Sequence, residues 1–232
     1  MTTSGQSFWA IVPAAGVGRR MGLDQPKQFL QVAGKSILAH TLHRLARTPG
    51  LAGIVLVTAD GTTHEDIEAL AVPVAPVAGG AERADSVLAG LRHLMAAQGE
   101  DTWVLVHDAA RPGVRPRDVS ALMAWCVQHD EGAILALPAR DTVKQTSAVV
   151  EVLDTLDRDT IWLAQTPQCF RAGPLASALQ AGQDSGQVIT DEASAMQAAG
   201  HRVGLVRGHW QNSKLTEPED LELIEWILNR DE

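Results

Sequence analysis

"FWAIVPAAGVGRRM" occupies Phe8 to Met21. Its first part, Phe8–Pro13, is a continuous apolar run of strand length. Such runs mark strands covered on both faces, as in a parallel sheet packed between helices. The chain then changes to small residues, glycine and arginine. Glycine lets backbone amides come close to a ligand, and Arg19, Arg20 and the later Lys27 suit phosphate oxygens. The stretch predicts a buried strand that delivers a phosphate-binding loop.

Outward from this stretch the same pattern recurs. "GIVLVT" (53–58), "WVLVHD" (103–108), "GAILALP" (132–138) and "VGLVRG" (203–208) read as strands, and "VPVAPV" (72–77) as a short, proline-marked one. Helical spacing lies between them. Ser36 can cap a helix burying Ile37, Leu38, Leu42 and Leu45, and "ERADSVLAGLRHLMAA" offers Val87, Leu88, Leu91, Leu94 and Met95. Asp118 to His129 and Pro218 to Asn229 have the same period. The alternation predicts an α/β fold, a Rossmann-like doubly wound and mostly parallel sheet. Ligands in such sheets bind beyond the carboxyl ends of the strands. Gly16, Gly80 and Asp108 each follow a strand or strand-like run, so they are expected to share one site.

Ala139 to Gln165 breaks the alternation. It is polar, β-branched and lacks a helical period, and "TVKQT" and "VVEVLD" alternate around Ser147-Ala148. This predicts a β-hairpin arm at about 139–165, inserted in a single domain spanning 1–232. Exposed strand edges need cover; either a partner subunit supplies it or the arm is a packed surface hairpin.

Composition narrows the class. The 232 residues suit one domain. A net charge of -9 argues against general nucleic-acid binding, so the local cations read as dedicated sites. Cys126 and Cys169 form no CxxC pair, as expected in a reducing compartment. No secretory leader pattern opens the chain, and no apolar run reaches the roughly 18 residues of a membrane span. A cytoplasmic location with no membrane or nucleic-acid partner is the expectation.

Two familiar phosphate motifs fail. A dinucleotide fingerprint needs a third glycine where Met21 stands, and no acid follows about 20 residues later at a second strand end. Gly34-Lys35-Ser36 resembles a P-loop end, but its earlier glycine would be Phe29; it reads as a turn and a helix cap. What is left is a glycine loop with several cations, suited to a triphosphate. A triphosphate calls for a divalent ion, which takes oxygen ligands and often one or two carboxylates. Asp108, in "VHDAARP" with Arg111 nearby, is the candidate magnesium ligand. His107 reads as packed, and His40 and His43 lack partners for a zinc set.

No Ser/His/Asp or Cys/His arrangement is evident. A phosphate monoester as nucleophile would explain this, since its second pKa is about 6 and it is largely dianionic at neutral pH. The protein then has to overcome repulsion between anions and stabilise charge at the attacked phosphorus.

The segments "PAAGVGRRM…PKQF", "GGAERADSVLAGL", "VHDAARP", "ARDTVK", "TPQCF", "TDEASAM" and "NSKLTEPEDL" occur in order over nearly the whole chain. They resemble the 2-C-methyl-D-erythritol 4-phosphate cytidylyltransferase family. The resemblance implies CTP and methylerythritol phosphate as substrates, magnesium as cofactor, and a homodimer whose arms reach the neighbouring site. It implies that Ala14, Ala15, Gly16 and Gly18 wrap the nucleotide, with Arg111 shaping its pocket. Arg20 and Lys27 would stabilise the pentacovalent phosphorus, and Gly80, Ala81 and Ser86 would contact cytosine and ribose. Thr142, Arg158, Thr166, Thr190 and Lys214 would hold the acceptor, with Arg158 and Lys214 orienting its phosphate. Three positions depart from relatives: Ala81 and Gln211, where acids occur in some, and Ser213 in place of isoleucine. Rival readings are a nucleotidyltransferase with another sugar phosphate as acceptor, a dehydrogenase, and a noncatalytic nucleotide sensor.

Overall fold

The structure, a computed structural model, describes residues 7–16, 25–63, 67 and 70–230. Its centre is a seven-stranded sheet. The strands are β1 (Phe8–Pro13), β4 (Leu51–Thr58), β5 (Val74–Ala78), β6 (Trp103–Val106), β7 (Gly132–Pro138), β10 (Trp162–Arg171) and β11 (Val203–Arg207), in the order β11-β7-β10-β6-β1-β4-β5. β1 pairs in parallel with β4 and β6, and β4 with β5 and β7 with β11 are parallel too; β10 runs antiparallel between β6 and β7. Two small hairpins lie outside this sheet: β2 (Gln31–Val32) with β3 (Lys35–Ser36), and β8 (Val143–Thr146) with β9 (Val152–Leu156).

Period two along the central strands distributes side chains to two cores. Ala10 and Val12, Ile54 and Leu56, and Trp103 and Leu105 face one cluster with Leu38 and Leu42 of α1 (Ile37–Ala46) and Val119 and Leu122 of α3 (Pro116–His129). The intervening Ile11, Val55, Val57, Val104 and Val106 face the other. There they meet Val87 and Leu91 of α2 (Arg83–Gln98), Leu175 and Leu179 of α4 (Ala172–Asp184) and Ala195 of α5 (Glu192–Ala198). Burial on both faces is why these strands read as unbroken apolar runs, and it is the doubly wound arrangement expected. A third cluster joins Ile224 and Ile227 of α6 (Asp220–Asn229) to Ile37, Ala110 and Leu215.

Local signals behave as their chemistry requires. The Ser36 hydroxyl accepts the Ala39 N–H at 3.0 Å and caps α1. Gly34 turns the β2–β3 hairpin at φ 77°, so "GKS" is a turn and a cap.

The expected arm at about 139–165 is shorter on its own ladder, with β8 and β9 spanning 143 to 156. Trp162 to Ala164 instead pair with Pro138 to Ala136 of β7 and start β10. β10 was not among the expected strands. Its polar residues mask it, since Gln165, Thr166 and Gln168 are buried by hydrogen bonding rather than by apolar character. Helices α4 and α5 were not expected either; alanine is the most frequent residue in both, which leaves a weak apolar stripe. Among the described residues no helix is long and apolar enough to cross a membrane.

Candidate active site

Three strand ends converge. β1 runs out into Ala14–Gly16, β5 into Gly79–Gly80, and β6 into His107–Asp108. Ala14–Gly16, Gly80 and Asp108 line a cleft of about 310 Å³ together with Lys27, Gln28, Ala81, Glu82, Arg83, Ser86, Ala109, Ala110 and Lys214. The expected juxtaposition of Gly16, Gly80 and Asp108 is thus realised.

The slot beside β5 is closely fitted. A Cβ on Gly79 would lie 2.7 Å from Ala15 Cβ and 2.8 Å from Ser86 Oγ. Glycine is needed there because the turn packs directly on the first loop. Gly80 N–H donates to Ser86 Oγ at 3.2 Å, and the Ser86 hydroxyl donates to Glu82 O at 3.3 Å. Opposite, the buried Gln28 amide donates to Ala14 O at 2.7 Å and to Gly16 O at 2.8 Å. These bonds fix the start of the glycine loop. Among the described residues, a Cβ at Gly16 would meet nothing within 4 Å.

Asp108 organises the cations. Its Oδ1 lies 3.2 Å from Arg83 Nε, and its Oδ2 lies 2.8 Å from Lys214 Nζ and 3.4 Å from Arg111 Nε. Burial disfavours its charge, but Arg83, Lys214 and Arg111 outweigh that and hold the carboxyl well below the usual carboxylate range. Burial likewise opposes the charge on Arg83, and Glu192 and Asp108 overcome it, raising its pKa. Lys27 Nζ donates to Leu215 O at 2.5 Å, and Lys27 and Lys214 both line the cleft.

Behind Asp108 is a buried relay. His107 Nε2 faces Arg111 O at 3.2 Å, so it carries the proton; Nδ1 then accepts from the Thr166 hydroxyl at 3.0 Å. That hydroxyl accepts the Asp108 N–H at 3.0 Å. Burial lowers the His107 pKa to about 4, so the ring is neutral, packed as expected. Asn212 closes the back: its side-chain amide donates to Thr166 O at 2.7 Å, and its backbone carbonyl accepts from Arg111 Nη1 at 2.7 Å.

The sequence-derived residues divide by position. Ala14, Ala15, Gly16, Lys27, Gly80, Ala81, Ser86, Asp108 and Lys214 line the cleft, and Arg111 contacts Asp108 from behind. Thr166 is buried, its hydroxyl engaged by His107 and Asp108. Thr190 is exposed just before α5. Thr142 and Arg158 are exposed on the arm, where Arg158 Nη1 donates to Arg140 O at 3.0 Å, and neither lines the cleft of this chain. Gly18 and Arg20 lie outside the described residues.

Arg83, Gln28 and Glu192 were not anticipated. A cation in the first turn of a helix opposes the helix dipole, and that misplaced charge was the available signal for Arg83. Glu192 looks like an ordinary first-turn acid, and nothing local marks Gln28.

Among the described residues no group of three or more His, Cys, Asp or Glu could hold a metal ion. An ion that arrives on a triphosphate needs only one or two protein carboxylates. Asp108 can supply one, with three of its roughly four lone-pair positions already met by cations. The donor set fits an ion carried by a nucleotide rather than one caged by the protein.

Comparison with known proteins agrees with this geometry. The family model for 2-C-methyl-D-erythritol 4-phosphate cytidylyltransferase matches residues 8–230. A curated relative of that name from Vibrio vulnificus (strain CMCP6) is 47% identical over 233 residues, covering 100% of this chain and 98% of the relative. Another of that name from Ectopseudomonas mendocina (strain ymp) is 48% identical over 217 residues, 92% of each chain. The crystal structure of the Francisella tularensis 2-C-methyl-D-erythritol 4-phosphate cytidylyltransferase superposes with a TM-score of 0.78 at 35% identity, covering 96% of this chain and 100% of that one. With its strand-end cleft and with matches along almost its full length, this chain belongs to the 2-C-methyl-D-erythritol 4-phosphate cytidylyltransferase family.

Proposed function

We propose that the cleft transfers a cytidylyl group from CTP to 2-C-methyl-D-erythritol 4-phosphate. The products are 4-diphosphocytidyl-2-C-methyl-D-erythritol and pyrophosphate, and the step belongs to the non-mevalonate route to isoprenoid precursors. The protein is a nucleotidyltransferase. The observation that carries this mechanism is Asp108 drawing Arg83, Arg111 and Lys214 together beside a glycine-bordered slot.

An oxygen of the acceptor's phosphate attacks the α-phosphorus of CTP. A P–O–P link forms, the bond to the bridging β-phosphate oxygen breaks, and its electron pair leaves with pyrophosphate. A dianionic nucleophile needs no proton removed. The imidazole next to Asp108 in sequence, His107, is buried and already bonded through both nitrogens, which supports chemistry without a general base. Lys27 and Lys214 face the anions, stabilising charge as it gathers at phosphorus and the leaving group. Arg20 would join them from the glycine loop.

Ala14, Ala15, Gly16 and Gly18 would enclose the triphosphate, and Arg111 holds the carboxylate beside it. Gly80, Ala81 and Ser86 would meet cytosine and ribose, the serine through an oxygen already oriented by Gly80 and Glu82. Asp108 would hold the magnesium ion, whose charge would offset that of the polyphosphate. Lys214 and Thr190 would receive the acceptor. Thr166 serves it indirectly, through Asp108.

Thr142 and Arg158 would act from the arm of a second copy. Val149, Val150, Val152 and Leu153 are more than 60% exposed on that arm, and such apolar surface favours a partner. The functional unit would be a homodimer with shared sites. Both cysteines are buried thiols, compatible with the cytoplasm as its location.

Pyrophosphate release should be measured with magnesium and CTP, with and without methylerythritol phosphate, beside ATP, GTP and UTP. Release that requires both CTP and methylerythritol phosphate is expected. Release with another sugar phosphate would retain the nucleotide chemistry and replace the acceptor.

A further inference from the structure

Glu192 takes no direct part in the reaction above, yet its side chain is only 1% exposed. A buried carboxylate is tolerated where it is paired and hydrogen-bonded. Its partner is Arg83, held at both ends: Nη1 to Oε1 at 2.6 Å and Nη2 to Oε2 at 3.2 Å. The same guanidinium reaches Asp108 Oδ1 through Nε at 3.2 Å. Arg83 therefore bridges a carboxylate of α5 and one at the end of β6. Three of its five N–H donors go to these carboxylates among the described residues. A third of its side chain, 33%, is still exposed, and Arg83 lines the cleft.

Helix α5 does not need Glu192 to dock. Asp191 caps it by accepting the Ser194 N–H at 2.9 Å. The Gln168 amide donates to Asp191 Oδ2 at 2.8 Å and accepts the Ala193 N–H at 2.8 Å. Ala193, Ala195 and Met196 pack in the core. Beyond its place in the first turn of α5, the Glu192 carboxylate has the Arg83 guanidinium as its partner.

We propose that Glu192 is a positioning residue for cytidylyl transfer: it fixes the Arg83 guanidinium at the cleft, from where Arg83 binds the nucleotide's polyphosphate. This rests on the transfer reaction assigned above. No bond is made or broken at either residue. Without the Glu192 charge, Arg83 keeps only Asp108 of its two carboxylates and is drawn toward it, where Lys214 and Arg111 already sit. CTP binding then suffers, while the acceptor side, with Thr190 set by the α5 cap, changes little.

The test uses the full-length protein. Steady-state pyrophosphate release is measured with CTP and methylerythritol phosphate varied separately, and CTP binding by calorimetry without acceptor. The variants are E192Q, R83K, R83Q and R83Q/E192Q, each with a thermal unfolding midpoint. E192Q is expected to raise the CTP KM and Kd about tenfold, the scale of one charge-assisted hydrogen bond, with the methylerythritol phosphate KM changed less than about twofold. R83K should behave alike, because an ammonium cannot make the bidentate contact. R83Q/E192Q should be no worse than R83Q alone, as for residues acting through one contact. Wild-type CTP affinity in E192Q, or additive losses in the double variant, would overturn the proposal. If E192Q fails to fold, R83K decides, since Glu192 keeps a charged partner there; wild-type CTP affinity in R83K also overturns it. Absence of pyrophosphate release by the wild-type protein would overturn the reaction itself, a separate outcome from variants that match wild type.

Discussion

The hydroxyl of Thr166 accepts the backbone N–H of Asp108 at 3.0 Å and donates to Nδ1 of His107. Thr166, expected from sequence to hold the acceptor, is thus also a buried support for the carboxylate that gathers the cations. Thr166→Val should leave the Asp108 N–H and His107 Nδ1 without their partner, costing about 1–3 kcal/mol of stability. Turnover should fall as Asp108 shifts, and Thr166→Ser should restore most of both. Chemical denaturation alongside kcat/KM checks this. A valine variant with unchanged stability and only a raised acceptor KM would return Thr166 to direct substrate contact.

Lysine at the cleft should matter for rate more than for nucleotide affinity. Lys27 Nζ donates to Leu215 O, and both Lys27 and Lys214 line the cleft. Lys27→Ala should lower kcat by about 100-fold or more, the scale of losing one preorganised transition-state contact. CTP affinity by calorimetry should change far less. Equal losses in affinity and kcat/KM with kcat preserved would make Lys27 a uniform binder.

Stability should depend on pH through His107. Its pKa is lowered to about 4 by burial, against about 6.5 in the unfolded chain. Between these values the unfolded chain binds more protons, so stability rises with pH. The contribution is fully present above about pH 6.5 and is lost progressively as pH falls toward 4, about 3 kcal/mol in all. Urea unfolding from pH 7 to 4 should show this slope, and His107→Gln should flatten it. An unchanged slope in that variant would place the linkage elsewhere.

The proposed homodimer makes a distinctive prediction. Lys27→Ala and Arg158→Ala should each be inactive as homodimers. Mixed and allowed to exchange subunits, they should recover about a quarter of wild-type activity, because half the dimers are mixed and each has one intact site. No recovery after demonstrated exchange would show that Arg158 does not act on a neighbour's cleft.

Asp108 and the glycine loop were legible because apolar runs end abruptly in chemistry-bearing residues, and strand ends are where an α/β sheet presents its ligands. Ser36 was legible because capping is local. β10 was hidden because its central residues are polar and buried by bonds to distant partners: Gln165 to His209 O at 3.1 Å, Gln168 to Asp191 at 2.8 Å. The arm's boundary shifted for a related reason, since Trp162–Ala164 become strand only through pairing with β7.

The sequence by itself determined the strand–helix alternation, the doubly wound class, the meeting of Gly16, Gly80 and Asp108 at the strand ends, and the family, because periodicity, turn chemistry and ordered motifs are local properties. Only the tertiary structure decided which charges meet. Arg83 and Glu192 stand 109 residues apart, and Thr166 and Asp108 stand 58 apart. Packing α2 and α5 on one face of the sheet, with β10 beside β6, brings these partners within hydrogen-bond distance. A buried charge or hydroxyl has its role set by that partner, which no local pattern in the chain records.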